Sequence, residues 1–468
     1  MRFLTKLKSY TSFILKALGG ETQDFTKGSL RKAIFLLAIP MIIEWGMEGV
    51  FALVDLFFVG KLGKHAVSTV GLTESVLTII YSLAIGCSMA ATAMVARRVG
   101  EKNIKGAAEA AMQSLFLGFS IMVVISIVGM IIAPDLLRWM GAEAETIRMG
   151  ANYVRIMMGS STVIMFLFLI NGIFRGAGDA SIAMKSLTLA NLCNIILCPL
   201  LINGLGPIPA LGLTGAAMAT AIGRSIGVVY QFWHLFNGKG LVQLTRASFK
   251  AEWAIIKGLA KIAWPATLQF IIGSCSWVFL ARLVAETGHS TASAGYQTAM
   301  RIVVFFILPA WGISNAAATL VGQNLGAKDL KRAEDAVYKT AKYNTIFMLL
   351  VSVIFVGLAD PLVSCFTKQA DVKAVAVTAL RIISCGYIFY GIGMVMTNAF
   401  NGAGDTRTPT YINLVGFWFF QVPLAYVLAK FCGLGPKGVF IAIPVAETGI
   451  SVVAWLLFKK GRWKKVMV

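Results

Sequence analysis

Three carboxylates, Glu44, Glu48 and Asp55, lie in one apolar stretch near the start of the chain. On an α-helix, their positions place them within about 40° of one another, on a single face. A charged group inside a membrane helix is costly, so such groups are normally kept for an ion or substrate path. The alternative is that one or more of them pairs with a buried arginine, for which Arg224 is available. The spacing predicts that the three acids form a stripe that binds an ion or a substrate, with Asp55 as the strongest candidate for a functional residue.

The composition is that of a protein embedded in a lipid bilayer. Of 468 residues, 57% are hydrophobic and 13% are charged, and the mean hydropathy is +0.77, whereas a soluble domain carries about 25% charged residues. Apolar runs recur along the whole length, which leaves no room for a large soluble domain. We predict an all-α polytopic membrane protein with twelve transmembrane helices. Their approximate bounds are 34–59, 67–96, 107–133, 146–174, 184–203, 213–236, 257–286, 292–322, 334–360, 372–400, 409–432 and 438–458.

The acids of these spans are unevenly divided. Glu74 follows in the second span, and tracing depth from the span ends puts Asp55 and Glu74 in the same outer half of the membrane. The second half of the chain has a single intramembrane acid, Glu447. The chemistry of cation coupling is therefore expected in the first half.

The formal net charge of +21 follows the membrane and does not indicate nucleic-acid binding. With the N-terminus in the cytoplasm, most lysines and arginines fall on the cytoplasmic side, which is the positive-inside pattern. We expect a multi-pass protein of the cell (plasma) membrane with both termini in the cytoplasm. The basic segments 1–33, 95–110 and 321–336 are expected to contact anionic lipid headgroups.

The chain is a tandem repeat. VARRVGEKNIKGAAEA (95–110) aligns with VGQNLGAKDLKRAEDA (321–336), FRGAGD (174–179) aligns with FNGAGD (400–405), and Pro40 aligns with Pro265. Six spans per repeat return the chain to its starting side, so the sequence predicts two parallel, pseudo-symmetric six-helix bundles. The predicted domains are a basic N-terminal segment 1–33, an N-lobe 34–236, a cytoplasmic inter-lobe loop 237–256, a C-lobe 257–458 and a basic tail 459–468.

Two facing lobes would leave a cleft, which is where a transporter places its substrate. Aromatic, amide and methionine side chains are candidates to line the C-lobe side of this cleft. They are Gln269, Trp277, Met300, Trp311, Asn315, Tyr387, Asn398, Trp418 and Gln421. The alternative for any one of them is ordinary helix packing or interfacial anchoring.

Other chemistry is not indicated by the sequence. The repeated GAGD turns lack the Lys or Ser that follows a phosphate-binding loop, and their aspartates would repel an anion, so we predict that the glycines end one helix and the aspartate caps the next. The seven cysteines form no CxxC motif, and no two histidines have metal-ligand spacing. We expect no metal, no cofactor and no disulfide framework.

The sequence resembles the multidrug and toxin extrusion (MATE) family, from about residue 34 to residue 465. The resemblance is carried by the segments LVDLFFVGKLG (53–63), ANLCNIILCPLLI (190–202) and LVGQNLGAKDLKRAE (320–334) and by the two GAGD turns. The order of these segments along the chain, together with the twelve spans and the internal repeat, makes the resemblance specific. It implies two six-helix bundles that rock between outward-facing and inward-facing states. It also implies export of organic, often cationic compounds in exchange for protons or sodium.

The family's acidic residue of the first span falls on Asp55 in this sequence. Its fifth-span pattern of Asn followed four residues later by Asp falls on Asn194 and Cys198, so the second acid is missing here. Glu48 is a further departure, because family members more often have an amide at that position. Neither span 257–286 nor span 372–400 has an acid in mid-membrane, which makes the DinF-like arrangement a closer likeness than the NorM-like one.

Two other readings compete with a multidrug exporter. A lipid-linked saccharide flippase of the same superfamily would usually have more spans and a basic cavity. An ion channel would normally surround a pore with several chains, whereas a membrane enzyme would need a nucleophile and base or a metal set. The predicted protein is therefore not an enzyme but an antiporter for small organic, mostly cationic substrates, acting as a monomer.

The predicted coupling ion is the proton. Buried acids that share one face titrate as a coupled group, and a carboxylate can hold a proton until a cationic substrate displaces it. Sodium would instead need several converging oxygens. Asn191 and Asn194 could supply two of them, but the missing acid at Cys198 weakens such a site. The predicted ion-coupling residues are Asp55, Glu48, Glu44, Asn194, Cys198, Asn191 and Glu74.

Overall fold

The computed structural model describes residues 2–20, 24–204, 206–207, 209–237 and 240–466. Small parts of four predicted domains lie outside these described residues. They are 1 and 21–23 of the N-terminal segment, 205 and 208 of the N-lobe, 238–239 of the inter-lobe loop, and 467–468 of the tail.

The described residues form helices and connecting turns, with no strand among them. The α-helices, numbered in chain order, are α1 (Arg2–Gly19), α2 (Leu30–Val59), α3 (Lys64–Gly100), α4 (Ile104–Ile131), α5 (Ala133–Trp139), α6 (Ala144–Gly159), α7 (Ser161–Ala177), α8 (Ala180–Asn203), α9 (Gly212–Phe236), α10 (Trp253–Gly326), α11 (Leu330–Gly357), α12 (Ala359–Ser364), α13 (Ala370–Ser384), α14 (Tyr387–Ala403), α15 (Arg407–Asn413), α16 (Val422–Tyr426) and α17 (Pro436–Lys459). Two π-helical stretches flank α16. Leu414–Gln421 joins α15 to α16, and Val427–Phe431 continues the segment beyond α16.

Twelve membrane crossings can be counted in the described residues. Ten helical segments are long and apolar enough to span a bilayer, and the pair α13 and α14, bent by 57°, makes one more. Helix α10 is 74 residues long, but His289 has non-helical backbone angles (φ 56°, ψ −159°), so two helices meet there. The predicted all-α fold with twelve transmembrane helices is thereby confirmed.

Some predicted spans are less regular than a single helix. The span 372–400 breaks at Gly386, where an added Cβ would lie 2.6 Å from Cβ of Pro444 on α17. The span 409–432 contains the two π-helical stretches around Pro423. Proline removes a backbone donor and π-helical turns insert extra residues, so both features bend a helix without ending it.

The sequence repeat is reproduced in the backbone. Lys102 and Lys328 both have a left-handed φ of 61°. The next residues, Asn103 and Asp329, cap the following helices by accepting backbone N–H groups at 2.8 and 2.9 Å. The GAGD turns also match, because Gly178 and Gly404 end α7 and α14 in the left-handed conformation that glycine adopts without strain.

The chain divides into two compact units. Unit 1 comprises Met1–Asp24 and Ile43–Thr267, and unit 2 comprises Phe25–Ile42 and Leu268–Val468. One internal boundary lies between Asp24 and Phe25, and the other two each lie two residues after one of the repeated prolines, Pro40 and Pro265. These two boundaries fall inside α2 and α10, at equivalent places in the repeat.

Candidate functional site

Asp55 lies at the centre of a polar group formed by three helices of unit 1. Its Oδ1 accepts a hydrogen bond from Nδ2 of Asn194 on α8 at 3.2 Å, and its Oδ2 accepts one from Oγ1 of Thr220 on α9 at 3.0 Å. Asn194 Nδ2 also lies 3.3 Å from Thr220 Oγ1. The structure thus brings together Asp55 and Asn194, two residues of the predicted ion-coupling set, and places Thr220 beside them.

Thr220 was not predicted from the sequence. A usable signal was available, because Thr220 precedes Arg224 by four residues and therefore lies on the same face of α9. If Arg224 faces the acidic stripe of α2, then Thr220, one turn away on α9, is expected to face the stripe as well.

The other α8 residues of the predicted set lie on the same helix face as Asn194. Asn191 donates from Nδ2 to the carbonyl of Met47 at 3.0 Å and to that of Leu187 at 3.0 Å. Cys198 is fully buried and lies close enough to Asp55 to interact with it electrostatically. The side-chain carbonyl oxygens of Asn191 and Asn194 are buried and have no hydrogen-bond donor among the described residues.

Glu48 is held by an arginine. Its Oε1 accepts a hydrogen bond from Nη2 of Arg224 at 2.9 Å, and the Arg224 side chain is only 5% exposed. The guanidinium carbon of Arg224 lies 4.7 Å from the ring centre of Phe51 and 5.5 Å from that of Tyr81. For Glu48, therefore, the alternative of pairing with Arg224 applies.

Glu44 is held by a second arginine, Arg175, which lies in the repeated FRGAGD segment just after the predicted span 146–174. Glu44 Oε1 accepts hydrogen bonds from Arg175 Nη1 at 2.9 Å and from Asn171 Nδ2 at 3.0 Å. Arg175 Nη2 donates to Ser88 Oγ at 2.8 Å. Both partners of this ion pair are buried, with side-chain exposures of 7% and 6%. The missed signal was the spacing of Asn171 and Arg175, which puts them on one face of α7.

Glycines allow this arrangement by letting α3 and α7 approach closely. A Cβ added at Gly172 would lie 2.5 Å from the carbonyl oxygen of Ser88, and one added at Gly176 would lie 2.8 Å from that of Thr92. Larger residues there would push α7 away from α3. Arg175 lies between these two glycines, and its contact with Ser88 depends on that close approach.

The three acids of the stripe are therefore not equivalent. Glu44 and Glu48 each pair with a guanidinium group, whereas the hydrogen bonds to Asp55 from described residues come from a neutral amide and a neutral hydroxyl. The expectation of one coupled acidic cluster treated the stripe as uniform. The arginines divide it: Arg224 is hydrogen-bonded to Glu48 and interacts with Asp55 only electrostatically.

Glu74 differs from the rest of the predicted set in being exposed. It lies on α3 and interacts electrostatically with Asp55.

Among the C-lobe candidates, several make contacts that fix them within unit 2. Asn398 donates to Ser314 Oγ at 2.9 Å, and Asn315 donates to the carbonyl of Trp311 at 2.9 Å. Tyr387 is buried in the main hydrophobic core of the unit, edge-on to Phe355.

The remaining candidates are distributed between core and partly exposed positions. Met300 packs against the same core, Trp277 is half-buried, and Gln269 is 6% exposed with an Oε1 that accepts no hydrogen bond from a described residue. Trp418 donates to the carbonyl of Ile272, and Gln421 accepts from Ser276. Which of these side chains contact substrate remains a prediction.

The described part of the chain contains no group of three or more histidine, cysteine, aspartate or glutamate side chains arranged to hold a metal ion. All seven cysteines, which are described residues, are free thiols.

The protein has many membrane-spanning helices, two repeated six-span halves, and a carboxylate that neutral polar groups hold inside the membrane. This is the architecture of a secondary transporter. The MatE family model matches residues 40–200 and 265–427, once in each repeat. The chain belongs to the MatE family and is therefore a membrane transporter and not an enzyme.

Similar proteins extend over nearly the whole chain. The probable multidrug resistance protein NorM of Thermotoga maritima is 26% identical over 93% of this chain and 94% of its own length. The FAD transporter of Shewanella oneidensis is 27% identical over 88% of this chain and 90% of its own length. Among solved structures, the crystal structure of MATE in the straight conformation superposes with a TM-score of 0.89 and a sequence identity of 27%. The match covers 95% of this chain and 100% of that chain.

Proposed function

We propose that this protein exports small organic cations from the cell in exchange for protons, and that Asp55 carries the coupling proton. The observation that supports this most directly is the environment of Asp55. It is a membrane-embedded carboxylate whose described hydrogen-bond donors, Asn194 and Thr220, are neutral. Arg224 interacts with Asp55 electrostatically but is hydrogen-bonded to Glu48. We therefore expect the charge of Asp55 to be balanced by a proton or by a substrate, but not by both at once.

The exchange follows from this competition. With Asp55 ionised, the amide of Asn194 and the hydroxyl of Thr220 stabilise the carboxylate, and a cation is attracted to the unit. When the cation leaves on the outer side, a proton neutralises Asp55 and removes the cost of an unbalanced buried charge. Loss of that proton to the cytoplasm restores the ionised state, and the outward step of one cation is thereby linked to the inward step of one proton.

Alternating access supplies the movement. In a protein of two parallel repeats, rocking of the halves exposes one internal site to each side in turn. The ion pairs Glu44–Arg175 and Glu48–Arg224 fix α2 to α7 and α9 of unit 1. They are proposed to hold the scaffold around Asp55 while its protonation changes.

Sodium is the second candidate for the coupling ion, and one observation favours it. Asn194 has a buried Oδ1 without a donor among the described residues, and this oxygen could join those of Asp55 and Thr220 around a small cation. The position one turn further along α8 is Cys198, which supplies no hard oxygen ligand. We therefore favour the proton.

The substrate class rests on the relatives and on charge. The Thermotoga maritima relative is described as a probable multidrug resistance protein, which supports small, chemically varied substrates. An ionised Asp55 favours those that carry positive charge. The same family match favours an exporter over a flippase for lipid-linked saccharides. By the positive-inside distribution, the protein is proposed to lie in the plasma membrane with both termini in the cytoplasm.

The test is transport in inverted membrane vesicles that contain the protein. A fluorescent organic cation is added, and its uptake is followed under an imposed pH gradient and then under an imposed sodium gradient. Uptake driven by the pH gradient without sodium is expected. Uptake driven only by sodium would overturn the proton assignment, and uptake of FAD but of no organic cation would overturn the substrate class.

A further inference from the structure

Glu447 is a buried carboxylate that the coupling site does not use. It lies on α17 in unit 2, is 8% exposed, and makes no hydrogen bond or ion pair with any residue that the structure describes. An isolated charge in such a place is strongly unfavourable, and polar groups of this kind in membrane helices are typically retained for function. The question is which group this carboxylate is placed to meet.

Its position is fixed by close packing of α17 on α14. A Cβ added at Gly386, the residue before α14, would lie 2.6 Å from Cβ of Pro444, and one added at Gly393 of α14 would clash with Oγ of Ser451. Both pairs are spaced by seven residues, so the two helices run side by side in parallel register. Glu447 lies between these two contacts, at the level of Tyr390 on α14.

Aromatic rings surround this level of the unit. Tyr390 interacts electrostatically with Glu447, and its hydroxyl is hydrogen-bonded to the side chain of Trp311 on α10. The Trp311 ring in turn packs edge-on against Phe270, with ring centres 5.7 Å apart. One carboxylate together with tyrosine and tryptophan rings is the combination that binds an organic ammonium or phosphonium group, through charge and cation–π attraction.

The two halves of the repeat have different residues at the position of Glu447. Glu447 in unit 2 corresponds to Arg224 in unit 1, and the repeat that aligns Pro40 with Pro265 aligns Glu48 with Gly273. In unit 1 the charge of Arg224 is balanced by Glu48 at 2.9 Å. In unit 2 the corresponding partner position is a glycine, with open space beyond a single van der Waals contact to Phe417. The second half thus retains a charged residue but lacks the side chain that would neutralise it.

We propose that Glu447, with the rings of Tyr390 and Trp311, forms a second cation-binding site, which receives the charged group of a transported organic cation. This inference rests on the proposed function, since it assumes that organic cations are substrates. Glu447 would be the counter-charge in unit 2, as Asp55 is the proton-carrying acid in unit 1. The two roles are separable, because they lie on different helices of different units.

The experiment uses two ions of matched size and opposite charge, tetraphenylphosphonium and tetraphenylborate. Equilibrium binding of each is measured to the purified full-length protein in lipid nanodiscs, for wild type and for Glu447→Gln. The substitution is expected to weaken phosphonium binding by about tenfold, as loss of a desolvated charge contact does. Tetraphenylborate binding should not weaken. Glu447→Asp, which keeps the charge, should retain most of the phosphonium affinity.

Asp371→Asn is the matched control, because it removes one negative charge from an exposed position of the same unit. It is expected to bind the phosphonium as wild type does. Glu447→Gln should fold, since it replaces an unpaired buried acid by a neutral group of the same shape, and gel filtration of the purified variant checks this. If it does not fold, the Glu447→Asp result decides: a loss of phosphonium affinity despite the retained charge overturns the proposal.

The outcomes separate this inference from the function on which it rests. Equal phosphonium affinity of Glu447→Gln and wild type would overturn the second site and leave the exporter standing. Equal weakening of both ions would also overturn it, because the effect would not be recognition of positive charge. Failure of the wild-type protein to bind or transport any organic cation would instead overturn the proposed function.

Discussion

Glu44 and Asp55 share one face of one helix, but their neighbours are different in kind. Glu44 is paired with Arg175 in a setting where both side chains are almost completely buried. Asp55 receives hydrogen bonds from Asn194 and Thr220, which carry no charge. A paired carboxylate gains little from binding a proton, since its partner would then be left unbalanced. Asp55 is not hydrogen-bonded to a guanidinium among the described residues, although it interacts electrostatically with Arg224.

The buried pair makes a prediction about stability. Glu44→Gln leaves the Arg175 guanidinium without its counter-charge, and removing one member of a buried pair costs about 3–5 kcal/mol. Arg175→Gln should cost a similar amount. The double variant Glu44→Gln, Arg175→Gln should recover much of the loss, because two neutral amides can hydrogen-bond to each other. Thermal unfolding of the purified variants, compared as a double-mutant cycle, measures this. Single variants as stable as wild type would show that the pair is not structural.

Cys198 makes a prediction about the coupling ion. It is fully buried beside Asp55 and interacts with it electrostatically. Cys198→Asp would add a second set of hard oxygen ligands near Asn194, so we expect transport to gain dependence on sodium. Cys198→Ser, similar in size but uncharged, is the control and should leave the ion dependence as in wild type. Sodium-independent transport by a folded Cys198→Asp protein would contradict the placement of this side chain at the ion site.

Among the individual residues, the sequence analysis named Asp55, Asn194 and Arg224 but missed Thr220 and Arg175, which donate to Asp55 and Glu44. Depth in the membrane and helix periodicity suffice to find acids on one face. They do not reveal that Arg175, next to a glycine turn, points back into the helix bundle and not toward the cytoplasm. That depends on the close approach of α7 to α3 at Gly172 and Gly176, which is a property of tertiary packing.

Helix α2 contains both the acidic stripe and a boundary between the two compact units. It carries the three acids, and the boundary between the compact units falls within it, between Ile42 and Ile43. Pro40 lies inside the helix and deprives it of one backbone hydrogen bond, so bending is easiest near this residue. We therefore expect a change in the charge of Asp55 to alter the curvature of α2.

We predict that α2 bends differently when Asp55 is protonated. Spin labels at Val50 and at the exposed Ile196 of α8 should give distance distributions that differ between acidic and alkaline pH. Asp55→Asn, which cannot change its charge, should give a single distribution at both pH values. Pro40→Ala should reduce the difference, because it restores the missing hydrogen bond. Identical distributions for wild type at both pH values would refute a bending of α2 coupled to protonation.

The elements were the most predictable part of the structure. Twelve spans followed from apolar length alone, because a bilayer core fixes how long a helix must be. The irregularities were less accessible: the bend between α13 and α14 depends on the contact of Gly386 with Pro444, which lies 58 positions away in the sequence. No local pattern encodes such a contact.

For the whole molecule, the charge distribution predicts an orientation. Gly206, between α8 and α9, should face the outside, and Ala327, between α10 and α11, should face the cytoplasm. In a protein without native cysteines, Gly206→Cys should react with a membrane-impermeant maleimide in intact cells, whereas Ala327→Cys should react only after the cells are opened. Labelling of Ala327→Cys in intact cells would reverse the assigned orientation and, with it, the direction of export.

The most direct test of the account is the transport activity of Asp55→Asn. The variant keeps the shape of the side chain and a carbonyl oxygen that can still accept the hydrogen bond from Thr220. Purified wild-type and variant proteins are reconstituted into liposomes, and movement of a fluorescent cation is recorded after a pH gradient is imposed. Asp371→Asn, which neutralises an exposed acid, serves as the control and should transport as wild type does. We predict that the Asp55→Asn protein is folded but shows no movement of the cation in response to the gradient. Gradient-driven transport by Asp55→Asn at the wild-type rate would contradict the assignment of coupling to this residue.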